Sequence, residues 1–162
     1  MIRVIGFLLN FLFCIRRGLQ KSPTIFLICP VRDSSPEIDN VIRSYVIKKE
    51  GEGYDVHWPK FNTLQSDDPI GTRICYDNGL QIFLRDEIHI WWDPKSVGSK
   101  FDFGMMFLLV RILGLRKKVV LINASEVSVH ANKHFDNVAH ALASSDNEVL
   151  KIIKSKNCGA PS

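Results

Sequence analysis

The chain has 162 residues, of which 46% are hydrophobic, enough for one domain with one sizeable buried core. Its formal net charge of +4 is unevenly spread, because residues 1–21 hold four basic residues and no acidic one, whereas residues 22–162 hold 17 basic and 17 acidic residues. Nucleic-acid binding needs a basic face, and the balanced charge of this body gives no support for one.

The first predicted element is an N-terminal helix. Residues 4–15 are apolar on almost every side, with Arg3 before them and Arg16-Arg17 after. Twelve residues fall short of the roughly 20 that span a bilayer, and no small-residue cleavage site follows. Three interpretations stay open: a helix docked on the domain or on a second subunit, a membrane-surface anchor acting through residues 2–17, or a misassigned start codon. We therefore divide the chain into this segment, 1–21, and a single domain, 22–162.

The next elements alternate between strand and helix. Residues Thr24 to Cys29 form a short apolar run, typical of a central strand buried on both faces. Ser35-Pro36 then begins a helix, with serine as the cap and proline in the first turn. The apolar stripe of that helix is Ile38, Val41, Ile42 and Tyr45. Residues 54–58 follow as a second strand.

The same cap-then-proline pattern at Asp68-Pro69 predicts that the next helix begins there. Strands are predicted over 87–92 and 118–123, separated by a helix that ends at Gly114. One or two closing helices are expected between 132 and 154. Strands alternating with helices predict an α/β fold, a Rossmann-like (flavodoxin-like) doubly wound parallel sheet of four to five strands in three layers.

The four cysteines, Cys14, Cys29, Cys75 and Cys158, include no Cys-x-x-Cys pair. This scattering is typical of reduced thiols in a cytoplasmic protein, without structural disulfides or cysteine-bound zinc. His130 and His134 have metal-like spacing on a predicted helix. With no carboxylate or third histidine expected beside them, a surface helix is the favoured interpretation, and we expect no metal site.

The run from Asp93 to Gly104 carries the main functional signal, because it leaves an apolar strand and enters an apolar helix. Ligands of open α/β folds bind at such turns. The serines and Gly98 within it present hydroxyls and backbone N–H groups to an anion, and Asp102 follows about one helical turn later. Alone, such an aspartate often only complements the helix dipole. Together, these residues indicate a nucleotide site.

Residues 24–123 resemble the nucleoside 2-deoxyribosyltransferase superfamily, which includes 2'-deoxynucleoside 5'-monophosphate N-glycosidases. The resemblance rests on Ile25 to Arg32, on the helix that carries Asp77, and above all on Ser96-Val-Gly-Ser-Lys-Phe-Asp-Phe-Gly104. It implies a carboxylate that attacks C1' of the sugar and displaces the base. Asp102 occupies that position, where the family normally has the longer glutamate.

The resemblance also implies roles for neighbouring residues. Asp77 is similar to the second acid of the family, although the adjacent Asn78 is its equivalent if the helix has a different register. The substrate-binding residues that it implies are Arg32, Ser96, Gly98, Ser99 and Lys100. It further implies a homo-oligomer that needs neither metal nor cofactor.

Two functional classes, with one variant of the first, remain open at this point. The first is N-glycosidic cleavage, by hydrolysis or base transfer, of a nucleoside or nucleoside 5'-monophosphate. The second is a non-catalytic nucleotide sensor with the same pocket, which the aspartate in place of glutamate favours, because a displacement of about 1 Å costs roughly a hundredfold in rate. Cleavage of a dinucleotide such as NAD at its nicotinamide ribosyl bond is the variant, and it needs a longer pocket.

Overall fold

The apolar runs predicted as strands form one parallel sheet. The computed structural model describes residues 2–19, 21–32, 34–64 and 69–158. Within them the strand order is β2-β1-β3-β4, and every neighbouring pair is parallel. The strands are β1 (Thr24–Ile28), β2 (Asp55–His57), β3 (Glu87–Ile90) and β4 (Lys118–Leu121). The predicted doubly wound parallel α/β fold is therefore confirmed, and β1 is one of its two central strands.

Helices connect the strands and cover both faces of the sheet. A π-helical turn, Leu108–Ile112, continues the fifth helix. Of the one or two closing helices expected, two are present, and they are separated near Ser145. The helices are α1 (Ile2–Leu19), α2 (Pro36–Gly51), α3 (Pro59–Asn62), α4 (Thr72–Leu84), α5 (Val97–Phe107), α6 (Phe135–Ala143) and α7 (Asp146–Cys158).

Alternate side chains of the strands supply two separate cores. On one face Ile25 and Leu27 of β1 pack against α2, whereas on the other Phe26 and Ile28 pack against α4, α5 and α6. Since every residue of β1 is buried, its sequence is apolar throughout instead of alternating. The chain passes from β1 to β2 in one direction and then crosses back to β3. The carboxyl ends of β1 and β3 therefore flank the switch point where such folds bind ligands.

Helix α2 begins as predicted and buries a different stripe. The Ser35 hydroxyl accepts a hydrogen bond from the Ile38 backbone N–H, and Pro36 is the first helical residue. Val41, predicted to be inside, is 49% exposed, while Val46 is buried beside Ile42. Positions 42 and 46 are one turn apart, so the buried stripe lies further toward the carboxyl end of the helix than the sequence pattern indicated.

Helix α4 begins later than its proline pattern predicted. Its first residue is Thr72, and the cap is Gly71 in a left-handed conformation with φ of 83°. Ile70 is 87% exposed, and the predicted cap Asp68 lies outside the described residues. The left-handed turn at Gly71 redirects the chain immediately before the helix, a geometry that glycine adopts at little cost. This later start sets which side chains of α4 face the sheet.

Helix α1 lies against the domain through a narrow polar and small-residue face. The Asn10 amide donates to the Gly114 carbonyl at 2.9 Å and accepts from the Arg116 backbone N–H at 2.9 Å. Gly6 approaches so closely that an added Cβ would stand 2.1 Å from the Leu113 carbonyl oxygen. Buried Phe13 packs beneath the Lys117 ammonium, 4.1 Å from its ring centre. Among the described residues, no helix is long and apolar enough to cross a membrane.

Candidate active site

A cavity of about 580 Å³ opens at the carboxyl ends of β1 and β3. Its size falls within the range of about 300–1,000 Å³ that is typical of small-molecule sites. Four segments form it: the loop after β1, the start of α3, the first turns of α4, and the connection from β3 into α5. The lining residues are Cys29 to Arg32, Pro59, Gly71, Ile74, Cys75, Asn78, Asp93, Lys95 to Ser99, Phe101 and Asp102.

The amino end of α5 faces this cavity. Ser96 caps the helix, and its hydroxyl accepts from the Ser99 backbone N–H and lies 2.8 Å from the Ser99 hydroxyl. Gly98 lies between them, and a Cβ built on it would meet no atom within 4 Å, so its backbone is open to a ligand. Partial positive charge at a helix amino end and paired hydroxyls together favour an anion at this position.

The carboxylate of Asp102 lies in the cavity wall and is held by one side chain. It is 7% exposed, and the Asn78 amide nitrogen donates to it at 3.1 and 3.3 Å, reaching both carboxylate oxygens. The contact joins α4 to α5. The two helices pack closely at Gly79, where a Cβ added to the glycine would lie 3.0 Å from the Met105 sulfur. Asn78 and Asp102 are 24 residues apart in sequence, and they form a direct hydrogen bond because these two helices pack side by side.

A buried hydrogen-bond chain orients that amide. The Thr63 hydroxyl donates to Asn78 Oδ1 at 2.9 Å, and His57 Nε2 lies 3.0 Å from the same hydroxyl oxygen. Since the threonine proton is used on Asn78, His57 carries a proton on Nε2 and donates it to the threonine oxygen. The chain therefore presents the NH₂ group of Asn78, and not its oxygen, to Asp102.

Burial controls the ionisation of both ends of this chain. Desolvation raises the pKa of Asp102 from 3.8 to about 6, although the hydrogen bond from Asn78 lowers it. Desolvation also lowers the pKa of His57 from 6.5 to about 4, with Arg85 adding to the effect. At pH 7 Asp102 is therefore about nine-tenths ionised and His57 is neutral. Asp102 is an anion with less solvation than an exposed carboxylate, which suits a nucleophile.

Five of the seven sequence-predicted site residues line the cavity. They are Arg32, Ser96, Gly98, Ser99 and Asp102. Lys100, although adjacent to Ser99, is exposed and outside the lining. Asp77 is also outside it, because its side chain is 37% exposed and pairs with Arg73 across a 3.8 Å gap. Of the two alternatives on α4, the structure places Asn78 against Asp102.

Several residues of the site had no role in the sequence interpretation. Lys95 and Asp93 line the cavity from within the run that drew attention, and Asp93 accepts a hydrogen bond from the Lys95 backbone N–H at 2.8 Å. Cys29 also lines the cavity. Burial raises the pKa of its thiol to about 12, so the thiol stays protonated and is not a nucleophile. The sequence signal that could have placed these three residues in the site is their position shortly after the predicted strands β1 and β3, where open α/β folds bind ligands.

The histidine interpretation is wrong in its local structure. His130 lies in the loop after β4 instead of on a helix, and His134 is the cap of α6. The carboxylate that seemed to be missing is present, because Asp136 lies 2.8 Å from His130 and 3.2 Å from His134. The four-residue spacing of the two histidines does not reflect a helix here, since residues 128–134 form no helix.

Comparisons of the chain with protein-family models, curated proteins and solved structures give no match.

Proposed function

We propose that the protein cleaves the N-glycosidic bond of a nucleoside or nucleoside 5'-monophosphate, with Asp102 as the nucleophile. The observation that carries this proposal is the position of the Asp102 carboxylate. It is buried in the wall of a cavity of about 580 Å³ that the serine-lined amino end of α5 also lines. An anion site and an ionised carboxylate on one helix match a substrate that joins a phosphate or hydroxyl to an anomeric carbon.

The chemistry follows from that arrangement. An oxygen of Asp102 attacks C1' as the C1'–N bond breaks, and the electron pair of that bond leaves with the base, which takes a proton from water. A carboxylate ester at C1' results, and a water molecule then attacks C1', releases the carboxylate and loses a proton. In base transfer, a second base takes the place of that water. Positive charge develops on the sugar ring in both steps, and a poorly solvated carboxylate stabilises it.

The remaining residues bind and orient. Asn78 fixes the carboxylate plane through both oxygens, and the Thr63–His57 chain fixes Asn78. The Ser96 and Ser99 hydroxyls, with the backbone at Gly98, hold the anion, while Arg32 and Lys95 place positive charge at the cavity lining. The resemblance to the deoxyribosyltransferase superfamily supports the same roles for Asp102 and Ser96.

The test is release of free base. Purified protein is incubated with a panel of nucleosides and their 5'-monophosphates, and free base is measured by chromatography beside a thermal-shift measurement of binding. We expect release by the wild type and none by D102N, with the thermal shift retained. D77N is the matched control, since Asp77 carries the same charge outside the cavity, and its release should equal that of the wild type.

A second candidate function is nucleotide sensing without cleavage. The aspartate carries a shorter side chain than the family's glutamate, and both of its oxygens already contact Asn78. Thermal shifts in the wild type without release of any base would favour the sensor and contradict the cleavage proposal. Equal release by D102N would reject the nucleophile assignment while leaving cleavage itself established.

We also propose that the outer face of α1 contacts an anionic membrane surface. Seven of its apolar side chains, between 41% and 71% exposed, are left uncovered by the domain: Val4, Ile5, Phe7, Leu8, Phe11, Leu12 and Ile15. Every charged residue among positions 2–21 is basic. If α1 helices from two copies paired antiparallel, the basic residues at the start of one helix would lie beside the basic residues at the end of the other and would repel them. An anionic membrane surface is instead complementary to these charges.

Co-sedimentation with vesicles tests the membrane contact. We expect binding to vesicles that contain phosphatidylserine, weaker binding as salt increases, and little binding to neutral phosphatidylcholine vesicles. F7S/F11S should lose most of the binding, because both side chains lie on the uncovered face. A homodimer in solution that F7S/F11S dissociates, without vesicle binding, would show that a second copy covers this face instead.

A further inference from the structure

Two histidines and an aspartate, residue types that commonly bind metals, lie together outside the cavity, in the segment between β4 and the first turn of α6. His130 lies in the loop after β4, His134 caps α6, and Asp136 belongs to the first turn of that helix. One donor atom from each lies within 4.8 Å of the others. None of the three lines the cavity described above, so this cluster plays no part in the proposed cleavage.

The donor atoms of the three side chains lie close together. His130 Nε2 and His134 Nδ1 lie 2.8 and 3.2 Å from the same oxygen, Oδ2 of Asp136. Ligand atoms of a tetrahedral zinc site with bonds of about 2.0–2.1 Å stand about 3.3–3.4 Å apart. The two rings are stacked, with centres 3.9 Å apart. His134 Nδ1 also accepts a hydrogen bond from the Asp136 backbone N–H at 3.2 Å, so an ion at this nitrogen would replace that hydrogen bond.

Groups behind the cluster hold its members in place. The indole N–H of buried Trp92 donates to the other oxygen of Asp136, Oδ1, at 2.7 Å. Asn137 accepts from the His130 backbone N–H at 2.7 Å and donates to the His130 carbonyl at 2.9 Å. A carboxylate fixed by a hydrogen bond on its second oxygen is the arrangement that orients ligands in metal sites.

The donor set selects the class of metal. Two imidazole nitrogens and one carboxylate oxygen suit Zn²⁺, whereas Ca²⁺ and Mg²⁺ prefer oxygen donors alone. The side chains of His130 and His134 are 40% and 43% exposed, which leaves room for water to complete the coordination. We propose that His130, His134 and Asp136 bind one Zn²⁺ ion, with Trp92 as the positioning residue for the carboxylate.

Calorimetry with zinc chloride tests the stoichiometry. Full-length protein freed of metal with a chelator is titrated, and we expect one ion per chain and a thermal midpoint that rises with zinc concentration. Replacement by Co²⁺ should give visible absorption bands typical of a four-coordinate site. Absence of binding in the wild type, or binding without a thermal shift, would overturn the proposal.

Variants assign the ligands. H130Q and H134Q should each lower the affinity at least tenfold, and W92F should lower it about tenfold while all three ligands remain. H140Q is the matched control, because His140 lies on α6 and bonds the Val127 carbonyl outside the cluster. Zinc affinity unchanged in the double variant H130Q/H134Q would reject the site and assign binding to other groups, such as the exposed Cys14.

Discussion

Replacing Asp102 by asparagine should make the protein more stable at neutral pH while abolishing base release. Burial holds the pKa of this carboxyl at about 6 instead of 3.8. Because the native pKa is above the unfolded one, the native state binds more protons between about pH 4 and pH 6, and the unfolding free energy falls as pH rises through that range. Above pH 6 the full cost of the buried charge is present.

The magnitude follows from the same two values. A pKa that rises from 3.8 to about 6 corresponds to about 3 kcal/mol of unfolding free energy, at about 1.4 kcal/mol for each tenfold change in the dissociation constant. This is an upper figure for D102N, since the new amide must still be satisfied by Asn78. For a chain of this size, 1 kcal/mol moves the thermal midpoint by about 2–4 °C, so we expect a gain at pH 8 of no more than about 6–12 °C.

Thermal unfolding of wild type and D102N at pH 4 and pH 8 measures the effect. The gain should be present at pH 8 and should be largely absent at pH 4, where the native carboxyl is protonated and the unfolded one, with a pKa of 3.8, is still partly protonated. D77N, at an exposed position, should change stability by no more than about 0.5 kcal/mol at either pH. Equal gains for D102N at both pH values would refute the argument from ionisation.

Four other predictions concern the neighbouring residues and helix α1. T63V removes the hydroxyl that orients Asn78, so it should lower the rate of base release more than it weakens nucleotide binding, as steady-state kinetics will show. S96A should cost about 1 kcal/mol of stability and weaken monophosphate binding more than nucleoside binding, measured by calorimetry. The wild-type rate should rise with pH through about 6, as Asp102 ionises. G6V should displace α1, seen as faster proteolysis between Arg16 and Lys21, because its side chain would meet the Leu113 carbonyl.

The cavity shows how far a local pattern reaches. Ser35 could be assigned from sequence as a helix cap because capping depends on residues three apart, and it does cap α2. Position after an apolar strand likewise identified Arg32 and the start of α5 as cavity-lining. The choice between Asp77 and Asn78 was not available in this way, since it depends on the rotation of α4. That rotation follows from the turn at Gly71 and from packing against α5.

The contacts of the histidine cluster could not be predicted from the local sequence pattern. Spacing along the chain suggested a helix over His130 and His134, but the loop after β4 brings both onto Asp136. The partner that holds that carboxylate, Trp92, is 44 residues away in sequence. Such a contact has no periodic signature, because it joins a residue just after the end of β3 to the first turn of α6.

The amino-acid sequence by itself determined the alternation of strands and helices, the parallel sheet, and the position of the turn that enters α5 beside the cavity. These depend on hydrophobic periodicity and on capping within a few residues. Only the tertiary structure decided that Asp102 is buried against Asn78, that Asp77 is not in the cavity, and that the outer face of α1 is uncovered. These depend on how separate helices rotate and pack, because burial and pKa are set by neighbours that are distant along the chain.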